Sequence, residues 1–407
     1  MPNPILTHIA GDADAVVRLQ TELVAIPALG PRNGGQGEVE KIEHLKTILA
    51  GMGVADVREF RAPDPDVACG YRPSLAAVLP GRNPDRTLWV IAHVDVVPPG
   101  DPTLWKTDPW TLVRDGDRLY GRGVEDNHQG LVSALLTARA LLATGTTPDL
   151  NYGMLFAADE ETGSHLGLAW LLREHPDLFG PDDLILVPDS GEPSGEMVEV
   201  AEKSMLWVKF TVTGKQCHGS TPDQGVNSLV AASDFILRVR TLSHIFEAQD
   251  PIFTPARSTF EPTMKEANVA NVNTIPGKDV FYVDCRILPE YDPEEVLAAF
   301  DALGRGVERE HGVSVAREVV QREDAAPPTP VDAEIVQRTM AAVRAVYGNE
   351  PRPAGIGGGT VAAMLRRAGH PAVVWSRLLN NAHQPNESSS IAFTLGDAQV
   401  MALMLFD

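Results

Sequence analysis

Two imidazoles and a set of carboxylates stand where this sequence changes character. The run Leu88–Pro98 reads LWVIAHVDVVP, an apolar stretch of the kind that fills a buried strand, and it leads into His93 and Asp95. Such a pair has a use, because a metal-binding imidazole commonly gives its second ring N–H to a carboxylate, which fixes the tautomer and raises ligand basicity. Tyr152–Ala158 (YGMLFAA) ends in Asp159, Glu160 and Glu161, and Leu184–Val187 (LILV) is followed by Pro188 and Asp189. Three acids in a row repel one another, so they either splay into water or face positive charge. Asp126 lies in the turn ahead of a helix predicted to begin after Gly130, where a carboxylate also favours the helix N-terminus by itself. His383 falls in the polar loop Leu379–Glu387 that follows a strand at Ala372–Trp375.

These positions share one location, the C-terminal ends of strands or the turn that opens a helix. Open α/β sheets collect their ligands at that edge. Each zinc ion takes about four N or O ligands, with one position left for water when the site is catalytic. Two ions sharing a carboxylate then need about five protein ligands, and His93, Asp126, Glu161, Asp189 and His383 suffice if Asp126 bridges. Glu160, beside a ligand but without a metal of its own, is placed to take a proton from water and hand it to a leaving amine.

The elements that must hold these groups follow from periodicity. Asp14–Ala25 and Glu38–Leu49 carry apolar residues at helical spacing, and a Pro-rich connector at Ala62–Pro73 leads to strands at Ser74–Leu79 and Leu88–Asp95. From Lys203 the pattern changes. Strand Met205–Thr213, helix Asn227–Val239, strands Ser258–Met264 and Asp279–Leu288, helix Pro293–Leu303 and strand Val313–Val320 give the order β-α-β-β-α-β of a small two-layer domain, read as an insertion. After the linker Ala325–Val331, helical spacing returns at Ala333–Val346 and Val361–Arg367, with the Gly-rich stretch Gly355–Thr360 between them. That stretch lacks the residues of a phosphate loop, and close backbone approach to a ligand or a packed strand at Gly358 and Gly359 is the reading it supports.

Composition narrows the class. The 407 residues exceed one small core and predict two domains: a catalytic domain from 1–202 and 323–407, and an insertion at 203–322. With 34 Lys+Arg against 55 Asp+Glu the net charge is −21, and no basic run is present, so neither nucleic acid nor a membrane surface is an expected partner. Cys69, Cys217 and Cys285 are odd in number and far apart, which argues against disulfides and Cys-held metal. The opening MPNPILTHIAGDAD has no basic n-region, and a cytoplasmic location is expected.

HVDVVP (93–98), GRGVEDN (121–127), DEETGS (159–164), PDSGEP (188–193), CHGSTP (217–222), NTIPG with VDCR (273–277, 283–286), GGGT (357–360) and AHQPNE (382–387) together resemble the M20 metallopeptidase family over most of the chain. The resemblance implies an α/β fold: a zinc-peptidase-like catalytic domain with a mixed sheet flanked by helices, plus an inserted α+β two-layer lid and dimerisation domain. It implies a pair of Zn2+ ions, with Co2+ or Mn2+ possible, on His93, Asp126, Glu161, Asp189 and His383, with Asp126 bridging. By the same resemblance Asp95 orients His93, Glu160 is the general base, and the Asp126–Asn127 peptide is cis. Where many relatives carry Lys after the Asp-Asn pair this chain has His128, which predicts a titratable charge behind the site.

In the inserted domain, Phe281, Val283, Cys285 and Ile287 alternate with Tyr282, Asp284 and Arg286, which puts Arg286 on the face opposite the apolar set. The resemblance makes Arg286 and Asn273 binders of a substrate carboxylate, and His218 an oxyanion stabiliser supplied by either subunit of a homodimer. The expected activity is hydrolysis of an amide bond in small N-acyl amino acids, desuccinylase- or deacetylase-like. A dipeptidase or carboxypeptidase is the alternative within the family. An inactive module that binds metal or amino acids is the alternative outside it, and the presence of Glu160 beside a full ligand set speaks against that module.

Overall fold

The structure is a computed structural model that describes residues 3–406. The chain divides into two compact units: one comprises the residues up to Val200, Thr329–Ala354 and Thr360 onward, the other Ala201–Pro328 with Gly355–Gly359. No helix among the described residues is long and apolar enough to cross a membrane.

The first unit is built on an eight-stranded sheet. Its strands lie in the order Asp56–Pro63, Tyr71–Leu79, Leu150–Ala157, Asn83–His93, Leu184–Gly191, Ala372–Ser376, Met197–Glu202 and Arg352–Ile356. Asn83–His93 runs parallel to both Leu150–Ala157 and Leu184–Gly191, and Ala372–Ser376 runs parallel to the latter. The outer pair Asp56–Pro63 and Tyr71–Leu79 is antiparallel, so the sheet is mixed. The four parallel strands are the near-continuous apolar runs of the sequence, as burial on both faces requires. Their common direction brings four C-termini to one edge. Register sets His93 opposite Ala157, so the acidic turn after Ala157 emerges beside His93.

The helix His128–Thr144 starts two residues before Gly130 and is buried on nearly every side, which left little periodic signal at its start. Gly130 fits inside its first turn because a Cβ there would lie 2.5 Å from Asn127 Oδ1 and 2.6 Å from Pro188. The connector expected at Ala62–Pro73 is shorter, because Ala62 and Pro63 close one strand while Tyr71, Arg72 and Pro73 open the next. Pro63 ends the edge strand, and Pro73 precedes Leu75, where the ladder to Leu150–Ala157 begins, so each has one side free of ladder bonds. The helix Ile391–Leu403, buried on most of its surface, packs on His128–Thr144 and carries no amphipathic stripe to reveal it.

The second unit has a four-stranded antiparallel sheet, in the order Thr259–Lys265, Lys278–Ile287, Ser204–Thr213 and Ser314–Glu323. Helices Ser228–Val239 and Pro293–His311 cover it, and Phe210, Phe235, Phe281 and Phe300 meet in its core with ring centroids about 5 Å apart. In chain order these elements read β-α-β-β-α-β. The second helix runs on past Leu303 to His311, with Gly304 and Gly306 buried inside it. Asn227 and Asp292 cap the two N-termini through their side chains.

Candidate metal centre

His93 ends its strand with the imidazole buried. Nδ1 lies 3.0 Å from the Asp95 carbonyl oxygen and 3.5 Å from its carboxylate, leaving Nε2 to face the cluster. Asp95 also holds the acidic turn: its Oδ1 accepts from Glu160 N and its Oδ2 from Glu161 N, each at 3.1 Å. One residue thus fixes both sides of the cluster: the Asp95 carbonyl oxygen, rather than the carboxylate the sequence suggests, accepts from the imidazole, and the carboxylate holds the backbone of the two glutamates. The turn begins with Asp159 in the left-handed region (φ 63°), and the buried Arg72 secures it, bonding Glu38 and, at 3.3 Å, Asp159 Oδ1.

The structure brings six of the residues singled out in the sequence together. His93 Nε2 lies 2.8 Å from Asp126 Oδ1 and 3.4 Å from Asp189 Oδ1. His383 Nε2 lies 3.0 Å from Asp126 Oδ2 and 3.1 Å from Glu161 Oε2. Glu160 stands further off, its Oε2 3.9 Å from His93 Nε2. The Asp126–Asn127 peptide is cis, and Asn127 Nδ2 donates to Asp189 Oδ1 at 2.5 Å. Only His383 is open to solvent, with its side chain 54% exposed, whereas those of His93 and Glu161 are 3% and 6% exposed.

Electrostatics marks the cluster as a place for cations. Burial pushes Glu160 well above the ordinary carboxylate range; Asp189, Glu161 and Asp95 add to this and His93 opposes it. Glu161 is raised by burial and by Asp126, with His383 opposing. Burial works against a charged His93, yet Asp189, Asp126 and Asp95 raise it well above the usual imidazole value. His383 is raised to about 10 by its bonds to Asp126 and Glu161. Burial resists ionisation of Asp126, but the two imidazoles hold it below the usual range. Among the described residues, the ion pairs of these six side chains are with one another and with Asp95, and none involves Lys or Arg. Atoms bound to one ion at 2.0–2.2 Å in tetrahedral geometry lie about 3.3–3.6 Å apart, and the spacings above, 2.8–3.4 Å, run up to the lower end of that range. The donor set, two imidazoles and four carboxylates, fits divalent metal.

His128 departs from expectation. Its ring is wholly buried, with Nε2 2.8 Å from Lys41 Nζ, and burial followed by the Lys41 charge pushes its pKa well below the usual value. It stays neutral near pH 7. The group behind the site that titrates near pH 7 is instead Lys41, from the helix Val39–Met52, its pKa pulled down to about 7 by burial.

The remaining candidates lie in the second unit. Cys217–His218 pairs with Thr274–Ile275, and Gly219 N donates to Asn273 O at 2.7 Å, so His218 and Asn273 are neighbours on one small ladder. His218 is exposed, its Nδ1 2.8 Å from Ser220 Oγ. Arg286 lies on the sheet face away from the apolar set. Its Nε and Nη2 donate to Asp284 at 2.8 and 3.0 Å, and its Nη1 to Gly357 O at 2.7 Å, leaving one N–H on each Nη. Gly358 borders open space, whereas Gly359 is backed by the Glu323 carboxylate.

A sequence profile for peptidase family M20/M25/M40 matches residues 89–407. An uncharacterised metallohydrolase of Methanococcus maripaludis is 38% identical over 410 residues, covering 95% of this chain and 97% of its own length. A succinyl-diaminopimelate desuccinylase of Cereibacter sphaeroides is 28% identical over 382 residues, covering 92% and 94% of the two chains. Two solved structures share the fold: aminopeptidase PepT from Bacillus cereus, with TM-score 0.74 at 18% identity over 97% of this chain and 98% of its own, and human carnosine dipeptidase 1, with TM-score 0.73 at 17% identity over 98% and 97%. The chain therefore belongs to the M20/M25/M40 peptidase family, and it is a metal-dependent hydrolase of C–N amide bonds.

Proposed function

We propose that the chain is a dinuclear zinc hydrolase that cleaves the amide bond of small N-acyl amino acids, releasing an acid and an amine. The observation that carries this reading is the pair of ligand sets on the two oxygens of Asp126, with Glu160 beside them. His93, Asp189 and Asp126 Oδ1 would hold one ion; His383, Glu161 and Asp126 Oδ2 would hold the other. A divalent pair there supplies Lewis acidity to the scissile carbonyl and acidifies water. Glu160, held by Asp95 through the backbone, takes the proton from the attacking water and delivers it to the leaving nitrogen. Burial among other carboxylates raises its proton affinity, which suits that task.

Substrate class rests on the second unit. The two free N–H groups at the end of Arg286 form an edge that matches a carboxylate bidentately, and Asn273 adds an amide donor. His218 is assigned to the oxyanion. Gly358, bordering open space, is assigned to backbone contact with substrate. Likeness to a desuccinylase favours an acyl amino acid over a peptide. The three free cysteines suit a reducing cytoplasm. A homodimer completes the reading: the edge strand Thr259–Lys265 has one unpaired side, and Leu237 and Met264 are exposed, so a second copy is assigned to that face.

The test is a panel of N-succinyl, N-acetyl and other N-acyl amino acids set against dipeptides and C-terminally extended peptides, with release of the amine measured in the zinc-loaded enzyme. Turnover confined to acyl amino acids supports the reading. Turnover of peptides alone would make the chain a dipeptidase or carboxypeptidase. Metal binding without turnover of any compound would leave a binding module.

A further inference from the structure

The loop that carries His383 has little regular structure to hold it. Asn380, His383 and Asn386 all sit at φ 62°, in the left-handed region, and the loop's backbone amides lack a ladder partner. Glu125, next to Asp126 and buried, fills that need. Its Oε1 accepts from Leu379 N and, at 2.9 Å, from Asn380 N, and its Oε2 accepts from Asn381 N at 2.7 Å. Glu387, at the far end of the same loop and fully buried, returns the arrangement. Its Oε1 accepts from Glu125 N at 2.9 Å and Asp126 N at 3.1 Å, and its Oε2 accepts from Gly123 N at 3.1 Å and Arg122 Nη1 at 2.6 Å. Each carboxylate grips the backbone of the segment that bears the other.

We propose that Glu125 and Glu387 are positioning residues, a reciprocal clasp that sets His383 against Asp126 and so governs the second metal position separately from the first. The inference rests on the two-metal reading above. His93 and Asp189 are carried by parallel strands of the central sheet and need no clasp, whereas His383 is the one proposed ligand on the irregular loop. A carboxylate suits this work because its two acceptor oxygens meet three converging amides without offering a donor. Glutamine in its place would set an NH2 group against a backbone N–H, donor against donor.

The test is titration of metal-free, full-length protein with cobalt(II) alone, counting bound ions by equilibrium dialysis and following the cobalt absorption bands. Wild type should bind two ions. Glu125→Gln, which touches only the His383 loop, should bind the first with unchanged affinity and the second about 10–100-fold more weakly, the usual scale for losing a ligand's outer partner, whereas Glu387→Gln, whose carboxylate also holds Asp126 N, should weaken both. Circular dichroism before titration checks the fold, and Glu125→Asp, which keeps the charge but shortens the reach, gives the same readout if a Gln variant does not fold. Two unchanged steps in either variant, or equal weakening of both in Glu125→Gln, would overturn the clasp. A single ion in wild type would overturn the two-metal reading and the clasp's role with it.

Discussion

The two carboxylate oxygens of Asp126 serve different imidazoles: Oδ1 lies 2.8 Å from His93 Nε2, and Oδ2 lies 3.0 Å from His383 Nε2. One side chain thereby joins a ligand at the end of a strand to a ligand on a distant loop. Replacing Asp126 with Asn keeps one acceptor oxygen and converts the other into an NH2 group that cannot ligate. Bound metal, measured by plasma emission after dialysis, should fall from about two equivalents to about one, the step expected on losing a bridge. Retention of two would show that Asp126 does not bridge.

Glu160→Gln should keep the metal and lose turnover, because the amide preserves shape but cannot accept a proton. The expected loss in kcat is about 10²–10⁴-fold, the usual scale for general acid–base catalysis. Glu161→Gln should instead weaken metal binding. Full activity in Glu160→Gln with metal bound would assign the base elsewhere.

Arg286 already spends one edge of its fork on Asp284, so a substrate carboxylate would meet the Nη1 and Nη2 edge. Substrates with a free carboxylate should outperform their amides or methyl esters, and Arg286→Lys should shrink that preference. The cost in kcat/KM terms is expected at roughly 1.5–3 kcal/mol, the range for losing a hydrogen bond to a charged group. Equal rates on carboxylate and amide substrates would remove Arg286 from substrate binding.

Lys41 ties the metal-free protein's stability to pH. Burial pulls its pKa from 10.5 down to about 7, against Asp95, Glu38 and Glu387. Between these values the unfolded chain holds a proton that the folded chain has released, so this contribution to stability rises with pH across the window and is lost as pH falls toward 7. Lys41→Met lacks that rise. Urea unfolding of chelated protein at several pH values should show the balance moving toward wild type as pH increases. A difference between the two proteins that is flat with pH would contradict the assignment.

How much of this was legible in the sequence depended on how each residue declares itself. His93, Glu160, Glu161 and Asp189 follow apolar runs whose length and composition already mark strand ends, so a shared edge of the sheet could be inferred. Lys41 and Glu38 lie where a helix begins, three residues apart, and look like ordinary solvated charges. Their burial depends on partners, His128 and Arg72, far away in the chain. Glu125 and Glu387 stand inside recognisable motifs, but the role of each is to bond amides more than 250 residues distant, which spacing does not reveal. The helix Ile391–Leu403 is buried on most of its surface and leaves no periodic stripe to mark it.

The most direct measurement is zinc-edge anomalous diffraction from crystals of the zinc-loaded protein. Two peaks are expected, one among His93, Asp189 and Asp126 Oδ1 and the other among His383, Glu161 and Asp126 Oδ2, about 3.5–4 Å apart as in other two-metal sites. A single peak, or peaks held by other side chains, would contradict the account.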